Sequence, residues 1–209
     1  ALCFATHTAS AQNVGDYRTD NGGNWSSIGI WDIWDGDSWE NATAGQGYPG
    51  QNNAPGSVSI ANGHTVTLNV SPAFSLGSLT IAAGGNASVL NFNAGTSLTV
   101  TGAVTIEGGT GNGDDKRINV ADGTFSCASL TMLTTGNNNA DSELRIDQGS
   151  ATVSGDITMN DVATRNFIAF TNAGTLNIGG SFIGDGDILT NGANNGLVNY
   201  NGTSGTQIV

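Results

Sequence analysis

Two pairs of aspartates are the first residues to weigh for chemistry: Asp114 and Asp115 in Gly-Asp-Asp-Lys-Arg, and Asp185 and Asp187 in Gly-Asp-Gly-Asp. Paired carboxylates can serve an inverting glycosidase, one protonating the leaving oxygen while the other activates water. No Gly-His-Gly follows Asp114-Asp115, and Lys116-Arg117 sits beside the pair instead of on a later repeat, so the stretch reads as a solvated acidic turn. A polysaccharide lyase would need a base to take the proton next to a uronate, with carboxylate-bound calcium holding the substrate. Within the repeats described below, only Lys116, Arg117, Arg145 and Arg165 carry positive charge. Asp114, Asp115, Asp185 and Asp187 are also candidate calcium ligands, because clustered carboxylates and loop carbonyls suit that ion, although they do not follow a G-G-x-G-x-D calcium roll. Apart from calcium, no cofactor is implied. His64, in Asn-Gly-His-Thr, has no partner for a triad or a zinc site.

Aromatic residues are the other functional candidates. Trp25, Trp31, Trp34 and Trp39 are the only tryptophans and fall inside one short stretch. Exposed indoles can stack on sugars, and Trp39, between Asp37 and Glu40, is the best candidate for a glycan platform, with Trp34 beside it. The main expectation is different: Trp25, Ile28, Ile30, Trp31, Ile33 and Trp34 form a bulky apolar cover for one end of the fold.

What must position these residues is a string of short strands. From Ser57 onward, apolar residues alternate with polar ones in runs separated by glycine, the period of strands and not of helices. Val58-Ser-Ile60, Leu90-Asn-Phe92, Ile118-Asn-Val120, Leu144-Arg-Ile146, Ile168-Ala-Phe170 and Val198-Asn-Tyr200 are read as opening successive units, whose starts lie 32, 28, 26, 24 and 30 residues apart. Second and third apolar runs complete each unit, the third being Leu79-Thr-Ile81, Val104-Thr-Ile106, Leu130-Thr-Met132 and Ile157-Thr-Met159. Three strands plus turns is the size of one β-helix coil, and coils must stack to enclose a core. The fold expected is all-β: a right-handed parallel β-helix over 57–209 behind a Trp-rich N-terminal cap over 12–56. The middle residues Asn91, Asn119, Arg145, Ala169 and Asn199 should point outward in one column. Cys127 shares the register of Val100, Val153 and Ile178 and reads as a buried small hydrophobe. Thr65, Thr67, Thr99, Thr101 and Thr105 form no single ladder, which leaves ice binding a minor reading.

Bulk properties narrow the partners. A net charge of −12 with five Lys+Arg among 209 residues argues against nucleic acid, whose phosphates need a basic footprint. A neutral glycan or calcium needs no such charge. No segment approaches the ~20 apolar residues of a membrane helix. Residues 1–11, ending Ala9-Ser10-Ala11, read as a signal-peptide remnant with an A-x-A cleavage pattern, hence a secreted or cell-surface protein.

The stretch Tyr17-Arg-Thr-Asp-Asn-Gly-Gly-Asn-Trp25, then Trp31-Asp-Ile-Trp34, Ser38-Trp39, and Ala54-Pro-Gly-Ser-Val58 through Asn62-Gly-His64-Thr-Val66-Thr-Leu68 resembles a recurrent N-terminal module. The module opens large repeat-rich surface proteins that bacteria export by the type IX secretion route. Positions 17 to 68 carry the specific part, and the later coils match in style only. The resemblance implies an adhesin or stalk role, with His64 as a cap or turn residue. It also implies a sorting domain that this chain, ending mid-coil at Val209, does not show. The expected function is a non-enzymatic structural or adhesive module. The alternatives are a glycan-binding module or a β-helix glycoside hydrolase or polysaccharide lyase. Gln207-Ile208-Val209 lacks a closing helix or loop, so further coils or head-to-tail self-association are expected at that edge.

Overall fold

Alternation forces each short strand to bury one row of side chains, and a single coil has nothing to bury them against until the next coil stacks upon it. The structure, a computed structural model, describes residues 12–134, 139–160, 165–190 and 196–201. It is a parallel β-helix with three faces, and its described residues contain no α-helix, only a 3-10 turn at Ile28–Ile30. The signal-peptide remnant and the segment 207–209 lie outside the described residues.

Face I stacks the strands Ser57–Ile60, Ser78–Ile81, Ala103–Ile106, Ser129–Leu133, Ile157–Asn160 and Phe182–Gly184. Face II stacks Thr65–Leu68, Ser88–Phe92, Lys116–Asn119, Ser142–Ile146, Asn166–Phe170 and Asp187–Thr190. Face III stacks Ser97–Thr99, Thr124–Cys127, Ser150–Val153, Thr175–Ile178 and Leu197–Tyr200. Five coils therefore carry all three faces, and the first coil reaches face III only through a bridge between Leu76 and Val100.

The registers correct the repeat frame read from the sequence. Val58 pairs with Leu79 on face I, so its run is not an equivalent of Leu90-Asn-Phe92. Val66 and Leu68 take that place, opposite Leu90 and Phe92 on face II. Val198 pairs with Leu176 on face III, and the true face II strand of the last coil holds Ile188. Along face I the equivalent residues Val58, Leu79, Val104, Leu130, Ile157 and Phe182 are 21, 25, 26, 27 and 25 residues apart, a steadier period than the one inferred.

Like stacks on like inside. Val58, Leu79, Val104, Leu130 and Ile157 form one fully buried column, and Ile60, Ile81, Ile106, Met132 and Met159 form the next. Where face III turns into face I, coils touch backbone to backbone. A Cβ on Gly77 would stand 2.1 Å from the Gly56 carbonyl oxygen, and one on Gly102 would stand 2.4 Å from that of Gly77, so these two positions of the seam require glycine, while the next coil places Ala128 there. The corner from face I to face II is the variable one, short between Ile60 and Thr65 and longest between Ile106 and Lys116.

Before Ser57 the chain builds a partial leading coil. Tyr17–Thr19 runs parallel to the first face I strand, and Gly23–Asn24 runs parallel to the first face II strand. The chain then reverses: Trp31–Trp34 pairs antiparallel with Tyr17–Thr19, and Trp39–Asn41 pairs antiparallel with Trp31–Trp34. Trp25 and Trp31 are fully buried, edge to face at 4.9 Å. Both indole N–H groups are satisfied, Trp25 donating to the Pro49 carbonyl at 3.0 Å and Trp31 to the Trp25 carbonyl at 2.8 Å. These two plug the end of the core. Trp34 lies on the other side of its strand, half-buried.

Candidate functional site

The outward residues of the three faces differ in kind. On face III two rows stand in register: Ser97, Thr124, Ser150 and Thr175 in one, Thr99, Ser126, Thr152 and Asn177 in the other, the second continuing to Asn199. Every one of these side chains is small and uncharged, and neighbours bond along the row. Ser126 Oγ donates to Thr99 Oγ1 at 3.2 Å, Asn177 Nδ2 to Thr152 Oγ1 at 3.2 Å, and Asn199 Nδ2 to Asn177 Oδ1 at 3.0 Å. Strands stacked ~4.7 Å apart make this a flat lattice of hydroxyl and amide groups. Face I carries a matching row, Ser59, Thr80, Thr105, Thr131 and Thr158. Of the threonines weighed in the sequence, Thr99 falls in the face III row and Thr105 in the face I row, whereas Thr65 and Thr67 lie on face II, so the five form no single ladder and the rest of each row comes from other residues. The signal of the face I row was present as the central threonine of Leu79-Thr-Ile81 and its three counterparts.

Face II concentrates the charge. Asn91 and Asn119 share a column with Arg145 and Ala169, as expected, and Asn119 Nδ2 donates to Asn91 Oδ1. Asn199 does not join them, because its strand belongs to face III. Beside that column Arg117 pairs with Glu143 and with Asp115 at 3.2 Å, and Arg145 pairs with Glu143 at 2.9 Å. Arg165 pairs with Asp141 at 3.1 Å, whose carboxyl burial pushes above the usual range while Arg165 opposes the rise. Arg18 pairs with Asp32 at 3.0 Å on face I. With all four arginines neutralised, no basic patch is left to hold an anionic polymer.

The aspartates of the sequence reading do not converge. Asp115 accepts from the Asp141 backbone N–H at 3.0 Å as well as from Arg117. Asp114 is half-buried with a buried Oδ2 that accepts no hydrogen bond, so this turn is not simply solvated. Asp185 and Asp187 are exposed on the last coil, far along the axis from both. Among the described residues no three His, Cys, Asp or Glu side chains gather where they could hold a metal ion. His64 Nδ1 lies 2.8 Å from Thr19 Oγ1, tying the first turn to the leading coil. Cys127 is buried on face III, and burial pushes its thiol up to about 12, so it is no nucleophile at neutral pH.

Trp34 and Trp39 do come together, ring centroids 5.4 Å apart, on the outer side of the cap. The Arg18 guanidinium sits 4.7 Å from the Trp39 ring and covers part of its face. Between Trp39 and the coils runs a shallow groove of about 360 Å³, floored by Ser57, Ser59, Ser78 and Thr80 and flanked by Asp16. The groove is thus continuous with the hydroxyl row of face I. Lys116, read from the sequence as part of a solvated charged turn, is instead fully buried in an inward polar column with Ser88, Ser142 and Asn166, a register that only strand pairing reveals. Compared with protein-family models, curated proteins and solved structures, the chain matches none, and its functional reading rests on its own residues.

Proposed function

We propose that the chain is a secreted or cell-surface, non-enzymatic structural and adhesive module of the type IX-exported kind. In this reading its flat faces meet a neutral, hydroxyl-rich partner, a glycan foremost. The observation that carries it is the uncharged double row of face III. A single hydrogen bond exchanged with water contributes only ~0.5–1.5 kcal/mol, so a weakly attractive group becomes useful when many repeat on a rigid support that loses little entropy on binding. The groove beside Trp39 adds an aromatic edge to the face I row, the arrangement that favours sugars. The last coil supplies a second contact, through which the module extends to further coils or to another copy.

Retention on insoluble neutral polysaccharides tests the reading. Wild type should be held, and a Ser126→Arg/Thr152→Arg variant, which plants charge in the middle of face III, should elute at least about tenfold more readily, ~1.4 kcal/mol of lost attraction. Equal retention of the two would count against face III, and equal retention of Trp39→Ala would count against the groove. Turnover of a neutral or uronic glycan, abolished by Asp114→Asn or Asp115→Asn, would instead establish the β-helix hydrolase or lyase alternative.

A further inference from the structure

Lys116 is the only lysine of the chain, and it is fully buried. Its side chain does not reach for solvent, as lysines ordinarily do. Starting from the third coil, it runs back along the axis and donates to Ser88 Oγ at 3.2 Å and to the Asn86 carbonyl on the second coil, and to Asn62 Oδ1 on the first at 2.9 Å. Asn62 is equally constrained. Its Oδ1 also accepts from the backbone N–H of Asn86 at 3.0 Å, and Gly84 packs so closely that a Cβ there would stand 2.5 Å from Asn62 Cγ. The carboxylates of Asp114 and Glu107 lie near enough to act on the ammonium. Of these, Glu107 Oε2 accepts from the Ala83 N–H at 2.6 Å, while Asp114 Oδ2 is buried and accepts nothing.

We propose that Lys116 Nζ and Asn62 Cγ join in an intramolecular isopeptide bond with loss of ammonia, tying the first coil to the third. The parts needed for amide exchange are in place. Burial pulls the Lys116 ammonium below its usual pKa, against the opposing pull of Asp114 and Glu107, and a desolvated lysine amine is an activated nucleophile. Nζ is held by a 2.9 Å hydrogen bond to Asn62 Oδ1, on the amide whose carbon it attacks, and a turn of that amide about its Cβ–Cγ bond brings the face of Cγ toward the nitrogen. In the reaction the Asp114 carboxylate, whose charge already acts on the ammonium and whose buried Oδ2 has no other partner, swings into hydrogen-bond reach and takes one proton, and the neutral amine adds to Cγ. The Asn86 N–H holds the oxyanion that develops on Oδ1. The adduct's nitrogen passes a proton to Nδ2, the Cγ–Nδ2 bond breaks and ammonia leaves. Asp114 returns its proton to the departing ammonia as ammonium, so charge and atoms balance without any oxidant or co-reactant. The product is a covalent strut at the variable corner, spanning three coils.

Intact mass under denaturing conditions decides the matter. Wild type should weigh one ammonia less than its sequence, should offer an amine-reactive probe no lysine amine when unfolded, and should yield a branched peptide containing residues 62 and 116. Lys116→Met should show the full sequence mass. A wild type at full mass with a reactive lysine overturns the proposal. So does an ammonia loss that persists in Lys116→Met, since Asn62-Gly63 can also lose ammonia by closing on its own backbone. Asp114→Asn, which preserves size, should lower the cross-linked fraction at least several-fold, and unchanged cross-linking in both Asp114→Asn and Glu107→Gln overturns the proton route.

Discussion

The first and last described coils of the solenoid differ in what covers their core. At the leading end the chain folds back on itself, and Trp25 and Trp31 close the core with no exposed surface and no unpaired indole N–H. At the trailing end Ile188 stands in register with Ile168, and Val198 with Leu176, yet Ile168 and Leu176 are fully buried while their successors are not. Ile183, Leu189 and Leu197 are 46%, 43% and 54% exposed, and a hollow of about 640 Å³ opens among Phe182, Ile183, Ile188 and Tyr200. Burial in a solenoid is therefore not a property of a side chain's own strand. It is conferred by the neighbour on either side, and the cap supplies from a hairpin what each coil obtains from the next.

Removing the plug should produce the largest effect. Trp31→Ala empties the sealed end and should cost ~3–5 kcal/mol of unfolding free energy in a denaturant titration, the range for large core truncations. A loss under ~1 kcal/mol would mean that the leading end tolerates opening as the trailing end does.

The interior between the ends can be probed through Cys127. Its folded thiol ionises at about 12, whereas an unfolded one ionises at ~8.5. Between those values the folded chain keeps a proton that the unfolded chain has lost. The stabilisation is thus complete below ~pH 8.5 and drains as pH rises toward 12, with a slope approaching ~1.4 kcal/mol per pH unit. Wild type should fall against Cys127→Ala across that window in paired melts, and parallel curves would mean that coil three opens readily from the trailing side.

The smallest stability effect belongs to the exposed edge. Leu189→Asp with Leu197→Asp should change unfolding by less than ~1 kcal/mol, because both side chains are already half in water. Self-association should nevertheless drop, read as a lower mass in light scattering at high concentration. A wild type that stays monomeric there would remove the adhesive role given to this coil.

These contrasts explain what the sequence could tell. Alternation and glycine spacing announce strands and stacked coils, and the tryptophan cluster announces a cap, because each depends on local pattern. Phase is another matter. Val58-Ser-Ile60 and Val66-Thr-Leu68 are equally good apolar-polar-apolar runs, and nothing in two-residue periodicity says which face either occupies. The charged run Asp114 to Arg117 looks like an ordinary wet turn, since the residues that bury Lys116, namely Asn62, Asn86 and Ser88, lie one and two coils earlier. The hydroxyl rows are legible only after register is known, when a threonine or serine that is unremarkable alone falls into line with four others.

The uneven corner between faces I and II has a consequence for change over time. Strand registers on all three faces continue undisturbed past segments as different as Ile60 to Thr65 and Ile106 to Lys116. New sequence can therefore enter at that edge, outside the contacts among Asn62, Asn86 and Lys116, without shifting the columns beyond it. The glycine seam at the face III to face I corner, with backbones in contact, forbids the same. Such a rod can diversify along one side as freely as a book can vary its page edges while the spine stays stitched, and loops grafted there should fold as independent cassettes.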